Sequence, residues 1–128
     1  MISTVYNTDC LAAMREMDDN AFDLAIVDPP YGIGNWVQTS GNVRGDAVTW
    51  NDAIPPVEYF TDLRRVSKEQ IIWGANYYNC FNGRGGSIVW DKCVPRESNM
   101  SVCEIGSYSR PARVDYVKIP WRNILRTE

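Results

Sequence analysis

The sequence predicts an α/β domain with three layers, in which a doubly wound, mainly parallel sheet carries helices on both faces. The short apolar run Leu24-Ala25-Ile26-Val27 is bounded by polar residues, as an interior strand of such a sheet is. Segments with helical spacing alternate with other short apolar runs along the chain. The chain has 128 residues and 45% hydrophobic content, which is enough for one core but leaves little room for a second domain.

The first elements follow from local signals. Residues 5–6, Val-Tyr, suggest a short strand. Thr8 or Asp9 can cap a helix that runs to about Met17, with apolar residues on one side. Residues 23–27, which contain the apolar run, are then predicted to form an interior strand.

The rest of the chain continues the alternation. Residues 32–54 contain four glycines and are predicted to form a long loop, which in a compact domain is usually functional. Residues 55–67 are predicted to be largely helical, because Pro55-Pro56 can begin a helix. Its apolar positions are Val57, Phe60, Leu63 and Val66, and the later strands are predicted at 71–73, 87–90, 102–105 and around Val114 and Tyr116.

The most informative segment is Asp28-Pro29-Pro30-Tyr31, which directly follows the apolar run. The two prolines lack N–H groups and fix φ, so the strand must end there. The resulting turn presents a carboxylate, a free carbonyl and an aromatic ring. Ligands of open α/β sheets bind just beyond the carboxyl ends of the strands, which is where this turn is predicted to lie.

These groups suit chemistry on a nucleobase amine, whose lone pair is conjugated into the ring. The Asp28 carboxylate and the Pro29 carbonyl can accept both amino hydrogens and favour a pyramidal, more reactive nitrogen. Tyr31 offers a face on which a base taken out of the helix can stack. The alternative is a strand-ending Pro-Pro turn in which Asp28 caps a helix.

Asp-Pro-Pro-Tyr after an apolar strand resembles the catalytic motif of the amino-group DNA methyltransferases. Other segments, in the same order, are similar to permuted phage and prophage members of that family, so that the likeness covers most of residues 2–118. These segments are Thr8-Asp9-Cys10-Leu11, Phe22-Asp23-Leu24, Trp50-Asn51-Asp52, Ile71 to Tyr78 (Ile-Ile-Trp-Gly-Ala-Asn-Tyr-Tyr) and Ile88 to Lys92 (Ile-Val-Trp-Asp-Lys).

The resemblance implies a Rossmann-like methyltransferase fold and methyl transfer from S-adenosylmethionine to DNA. The target is N6 of adenine in preference to N4 of cytosine, as in phage and restriction-modification enzymes. The implied catalytic residues are Asp28, Pro29, Pro30 and Tyr31. Asp9, Cys10 and Asp28 are implied to bind the cofactor, and Tyr31, Asn76 and Tyr77 the target base. An N-cap role for Asp9 and aromatic core packing for the tyrosines remain open alternatives.

One part of the family pattern has no counterpart. Complete members carry a glycine-rich turn that holds the amino-acid part of S-adenosylmethionine, and residues 32–128 contain only the weak candidate Gly32-Ile33-Gly34. Residues 1–128 are therefore interpreted as the catalytic half of an incomplete methyltransferase domain. We expect weak cofactor binding by this chain and either self-association or docking of a missing C-terminal half. The alternative function is an inactive remnant that keeps a DNA- or base-binding cleft.

Composition excludes several other classes of protein. The chain has no histidine and no Cys-x-x-Cys spacing, which argues against a metal site and against histidine-dependent hydrolases. No apolar stretch could cross a membrane and no secretory signal is visible, so the four cysteines are interpreted as reduced packing residues of a cytoplasmic protein. Residues 1–31 are acidic, whereas residues 92–128 are basic. The basic segment is predicted either to contact DNA phosphates or to form a solvated face of mixed charge.

Overall fold

The computed structural model describes residues 2–34, 51–80, 85–98 and 100–121. These residues form an α/β domain, as predicted, with three helices and a five-stranded sheet. Most of the predicted long loop, residues 35–50, lies outside the described residues. The elements in chain order are α1 (Cys10–Arg15), β1 (Phe22–Val27), α2 (Val57–Val66), β2 (Ser67–Trp73), α3 (Ala75–Tyr78), β3 (Gly85–Asp91), β4 (Cys103–Pro111) and β5 (Val114–Lys118).

The sheet is mixed, so the prediction of a mainly parallel sheet is confirmed only in part: four of the five strands run in the same direction and β4 runs against them. Its strand order is β1-β2-β4-β3-β5. The pairs β1–β2 and β3–β5 are parallel, whereas β4 is antiparallel to both of its neighbours. The physical reason is the short connection from β3 to β4 over residues 92–102, because a parallel return needs a crossover of a dozen residues or more.

Strand β1 is an edge strand among the described residues, not the predicted interior strand, since it pairs only with β2. Its residues alternate between two different environments. Ala25 and Val27 pack against the core on the helix side. On the other face Phe22, Leu24 and Ile26 are exposed, Ile26 to 63%. An apolar run does not show by itself which of its faces is covered, and here one face is open.

The core lies between the sheet and a single layer of helices. Met14 of α1, Phe60 of α2, Ile72 of β2 and Ala75 of α3 belong to one buried cluster. A helix layer on the opposite face, which the three-layer prediction requires, is not found among the described residues. The described part of the protein therefore has two layers.

Helix α2 has the predicted amphipathic pattern with one exception. Phe60, Leu63 and Val66 are buried, and Tyr59 joins them. Val57 was predicted to be one of the apolar positions of this helix, but it lies in the first turn and is 71% exposed. The exposure follows from the position of Val57 in the first turn, next to Pro56, away from the buried side of the helix.

Arg65 joins the two longer helices. Its guanidinium donates hydrogen bonds to the carbonyl oxygens of Met14 (2.6 Å) and Met17 (2.7 Å), at and just beyond the end of α1. It also pairs with Asp19 and Asp62, each at 3.0 Å. Because the last carbonyls of a helix have no partner within the helix, these bonds fix the end of α1 against α2.

Two further sequence predictions are wrong. Residues 5–6 form no strand and are exposed, because a two-residue segment without a pairing strand gains too little to be ordered in a sheet. The four cysteines are free, but only Cys80 is a buried packing residue, whereas Cys10, Cys93 and Cys103 are exposed. Cys10 begins α1 and Cys103 begins β4, whereas Cys93 lies in the connection between β3 and β4. None of the described helices is both long and apolar enough to span a bilayer.

Candidate active site

The Asp28-Pro29-Pro30-Tyr31 turn lies at the carboxyl end of β1, as predicted. Because β1 and β2 are parallel, their carboxyl ends meet at the same edge of the sheet. Strand β2 ends at Trp73 and is followed by Gly74 and the short helix α3. The fold therefore brings the turn beside α3, although about 45 residues of chain separate them.

Asp28 is exposed, and its carboxylate accepts a hydrogen bond from the Tyr31 hydroxyl at 2.6 Å. This bond uses only one of the roughly four lone-pair positions that a carboxylate offers. Asp28 therefore keeps the capacity to accept hydrogens from a ligand.

The ring of Tyr31 is stacked on the ring of Tyr77, with centroids 4.6 Å apart and planes within 10°. Gly74 lies against the same ring. Burial, followed by the hydrogen bond to Asp28, raises the pKa of Tyr31 well above its usual range. Tyr31 is therefore a neutral donor at physiological pH, and one of its faces is already covered by another aromatic ring.

Tyr78 holds the two prolines from the other side. Its hydroxyl donates to the carbonyl oxygen of Pro29 and to that of Pro30, the latter at 3.0 Å. Burial and then the negative charge of Asp28 raise the pKa of Tyr78, which keeps this hydroxyl protonated. A carbonyl oxygen has two lone pairs, so Pro29 can accept one further hydrogen bond. The tyrosine thus fixes the direction of the Pro29 carbonyl without using all of its capacity.

Two clefts adjoin this turn, and Asp28 and Pro29 line both of them. The larger cleft has a volume of about 490 Å³ and contains all three residues that the sequence assigned to the cofactor, Asp9, Cys10 and Asp28. Asp9 also caps α1, because its Oδ1 accepts the Ala12 N–H at 2.8 Å. The two interpretations of Asp9 are therefore compatible in this structure.

The smaller cleft has a volume of about 230 Å³ and is lined by Asp28, Pro29, Tyr31, Asn51 and Glu104. Sequence reasoning missed two of these residues. Asn51 belongs to the Trp50-Asn51-Asp52 segment, which carried the family resemblance but was given no role. Glu104 had no sequence signal, because the register of β4 against β3 decides its position.

The predicted base-binding residues of α3 differ in their surroundings. Tyr77 contacts the site through its stacking on Tyr31. Asn76 is exposed and lines neither cleft. Two other aromatic residues that the sequence placed near the cleft, Trp36 and Trp50, lie outside the described residues.

The basic C-terminal part of the chain is largely neutralised where it is described. Lys92 is buried and pairs with Glu104 at 2.7 Å, Arg110 pairs with Glu69, and Arg113 pairs with Asp115. Such pairing favours the mixed-charge interpretation over a dedicated phosphate-binding surface. No group of three or more metal-ligating side chains is present among the described residues.

No protein-family model matches this chain, and no curated protein matches it either. Chemically, the turn carries two acceptors, the Asp28 carboxylate and the Pro29 carbonyl, in residues that line both clefts.

Proposed function

We propose that this chain is the catalytic part of an S-adenosylmethionine-dependent DNA methyltransferase that modifies an exocyclic amino group, N6 of adenine in preference to N4 of cytosine. The observation that supports this most directly is the position of Asp28 and Pro29 in the wall shared by the two clefts. The preference for adenine depends on the likeness to phage adenine enzymes. With DNA as the substrate, we propose a cytoplasmic location.

Residues of the turn act directly on the exocyclic amine of the target base. The Asp28 carboxylate and the Pro29 carbonyl accept the two amino hydrogens, which directs the nitrogen lone pair toward the larger cleft. If the nitrogen took a methyl group from a bound sulfonium, the S–CH3 bond would break and a neutral thioether would leave. The positive charge left on the nitrogen would then be stabilised by the nearby Asp28 carboxylate. Asp28 is then placed to accept the proton that leaves. Tyr31 and Tyr78 keep both acceptors in position through their hydroxyl groups.

The larger cleft suits a nucleoside cofactor in part. S-adenosylmethionine supplies an electrophilic methyl group when it is bound. Asp9 and Asp28 offer carboxylates to its amino and hydroxyl donors, and Val27 and Tyr59 offer apolar contact. Among the described residues, the lining of this cleft contains no glycine, the residue type whose close backbone approach would hold the amino-acid end of such a ligand.

A direct test is methyl transfer from labelled S-adenosylmethionine to unmethylated DNA, followed by digestion to nucleosides. We expect N6-methyladenine as the product, and no product from the Asp28→Ala variant, because one of the two amine acceptors is lost. Asp28 is exposed, so the variant should fold normally. Tyr31→Ala should weaken base capture by roughly 1–3 kcal/mol. Full activity in Asp28→Ala would refute the assigned role.

The second candidate is a base- or DNA-binding remnant without methyl transfer, and the glycine-free lining of the larger cleft favours it. Isothermal titration with S-adenosylmethionine separates the two. We expect binding to be weak in this chain. One-to-one binding in the micromolar range would instead mean that the chain is a working enzyme as it stands.

A further inference from the structure

The smaller cleft contains a side chain whose hydrogen-bonding capacity is only partly used. The Tyr31 backbone N–H donates to Oδ1 of Asn51 at 2.6 Å, which identifies that atom as the amide oxygen. Nδ2 of Asn51 donates to the Gly34 carbonyl at 3.3 Å. An amide nitrogen carries two hydrogens, so one N–H of Asn51 has no acceptor among the described residues.

The position of this side chain is fixed from both ends. Besides the two side-chain bonds, the Gly34 backbone N–H donates to the Asn51 carbonyl at 3.0 Å. Asn51 is therefore tied to the chain immediately after the Asp28-Pro29-Pro30-Tyr31 turn. A donor held in this way loses little conformational entropy when a ligand binds.

The other polar groups of the smaller cleft are acceptors. Asp28 and Glu104 present carboxylates and Pro29 presents a carbonyl. The Tyr31 hydroxyl is a donor, but Asp28 already accepts its hydrogen. Within this lining, the free N–H of Asn51 is the donor left for a ligand, and it lies in the same cleft as the Asp28 and Pro29 acceptors.

We propose that Asn51 reads the ring nitrogen beside the target amine, N1 of adenine or N3 of cytosine. This inference rests on the proposed function. Adenine and cytosine both present an amino donor next to an unprotonated ring nitrogen on their Watson–Crick edge. Asp28 and Pro29 match the amino donor, and the Asn51 N–H matches the ring nitrogen.

The same arrangement rejects the other two bases. Guanine and thymine carry a carbonyl oxygen where the amine would be and an N–H where the free ring nitrogen would be. Their oxygen would face the Asp28 carboxylate, and their N–H would face the N–H of Asn51. Unpaired polar groups of this kind discriminate strongly between ligands. Asn51 thus selects amino-bearing bases as a class and does not separate adenine from cytosine.

The test is an NMR titration of the chain with 2′-deoxyadenosine and with its 1-deaza analogue, in which C–H replaces N1. We expect the ring signals of Tyr31 and Tyr77 to shift with both ligands. The analogue should bind roughly five-fold more weakly, because one hydrogen bond is lost. 2′-Deoxyguanosine should bind more weakly than either.

The matched variant is Asn51→Asp, which keeps an acceptor for the Tyr31 N–H but replaces the free donor with an acceptor. It should abolish the preference for 2′-deoxyadenosine over the 1-deaza analogue. Asn20→Asp is the control: Asn20 is exposed, precedes β1 at the opposite end of the strand, and has a positive φ of 56° that aspartate also tolerates. It should keep the wild-type preference.

The outcomes separate this inference from the proposed function. If both nucleosides shift Tyr31 and Tyr77 but bind the wild-type protein equally, the role of Asn51 is wrong and the base-binding cleft still stands. Equal binding of 2′-deoxyguanosine would also overturn the role of Asn51. If no nucleoside shifts Tyr31 or Tyr77, both the inference and the proposed function are contradicted. Even if Asn51→Asp fails to fold, binding of 2′-deoxyadenosine and its 1-deaza analogue to the wild-type protein still tests the role of Asn51.

Discussion

Gly74 lies so close to the ring of Tyr31 that a Cβ atom at position 74 would be 2.8 Å from Cδ1 and closer still to Cε1. Gly74 also has a positive φ of 71°, which side-chain-bearing residues rarely adopt. It follows β2 directly and leaves the space in which Tyr31 stacks on Tyr77. The position of the ring beside Asp28 therefore depends on the absence of a side chain at residue 74.

We predict that Gly74→Ala displaces Tyr31 and destabilises the protein more than Gly34→Ala does. Gly34 has nearly the same φ, 73°, but a Cβ there meets no atom of the described residues within 4 Å. Gly34→Ala should cost about 1–2 kcal/mol of backbone strain. Gly74→Ala should cost roughly 1–3 kcal/mol more and change the near-UV circular dichroism of the tyrosines. If both variants lost the same free energy of unfolding in urea, the Tyr31 ring would be able to move away from a side chain at residue 74 with little loss of stability.

Arg65 should be the most important surface cation for stability. It bonds two backbone carbonyls at the end of α1 and two carboxylates. We predict that Arg65→Met lowers the free energy of unfolding, because carbonyls at the helix end lose a charged donor. Arg110→Met, which removes an exposed ion pair with Glu69, should lower it by much less. Similar losses in thermal or urea unfolding would contradict this difference.

Tyr59 should make the protein less stable at alkaline pH. Burial, with a smaller contribution from Cys10, raises the pKa of Tyr59 to about 12, compared with about 10 in an unfolded chain. The pKa of Tyr59 is higher in the folded protein than in the unfolded chain, so folding favours the protonated tyrosine. The resulting contribution to the free energy of unfolding is complete below about pH 10 and is lost as the pH rises through about 12.

We predict that the Tyr59→Phe variant lacks this pH-dependent loss of stability. The measurement is urea unfolding of both proteins at several pH values from 8 to 12. The wild-type protein should lose stability more steeply than the variant above pH 10. Parallel curves would mean that the Tyr59 proton is held no more tightly in the folded state.

The open edge of β1 should mediate self-association. β1 pairs with one strand only among the described residues, and Leu24 and Ile26 are exposed on its open face. Unpaired edges with exposed apolar side chains readily pair with another chain. We predict that Ile26→Lys shifts the protein toward monomer in sedimentation velocity.

Val57→Lys is the matched control, because Val57 is even more exposed but lies on α2. It should leave the association unchanged. A wild-type protein that stays monomeric at high concentration would contradict self-association through this face. Loss of association in both variants would instead indicate a general effect of the added charge.

Local sequence signals located most of the helices and strands. The Asp9 cap, the helical spacing of Phe60, Leu63 and Val66, and the apolar runs that became β1 and β2 depend on neighbouring residues along the chain. Such patterns can be read without knowing the fold. Predictions that depended on distant partners failed. The direction of β4, the edge position of β1 and the exposure of Val57 are decided by what packs beside them.

The features of the candidate site also fall into two groups: those that neighbouring residues predict and those that depend on distant ones. The Asp28-Pro29-Pro30-Tyr31 turn can be predicted from its own residues, because two prolines after an apolar run must end the strand. That Asn51 and Glu104 share a cleft with Asp28, and that Tyr78 holds the Pro29 carbonyl, is visible only in the folded protein. These contacts join residues that are distant in the chain. They depend on strand order and register, which the sequence pattern of one segment does not contain.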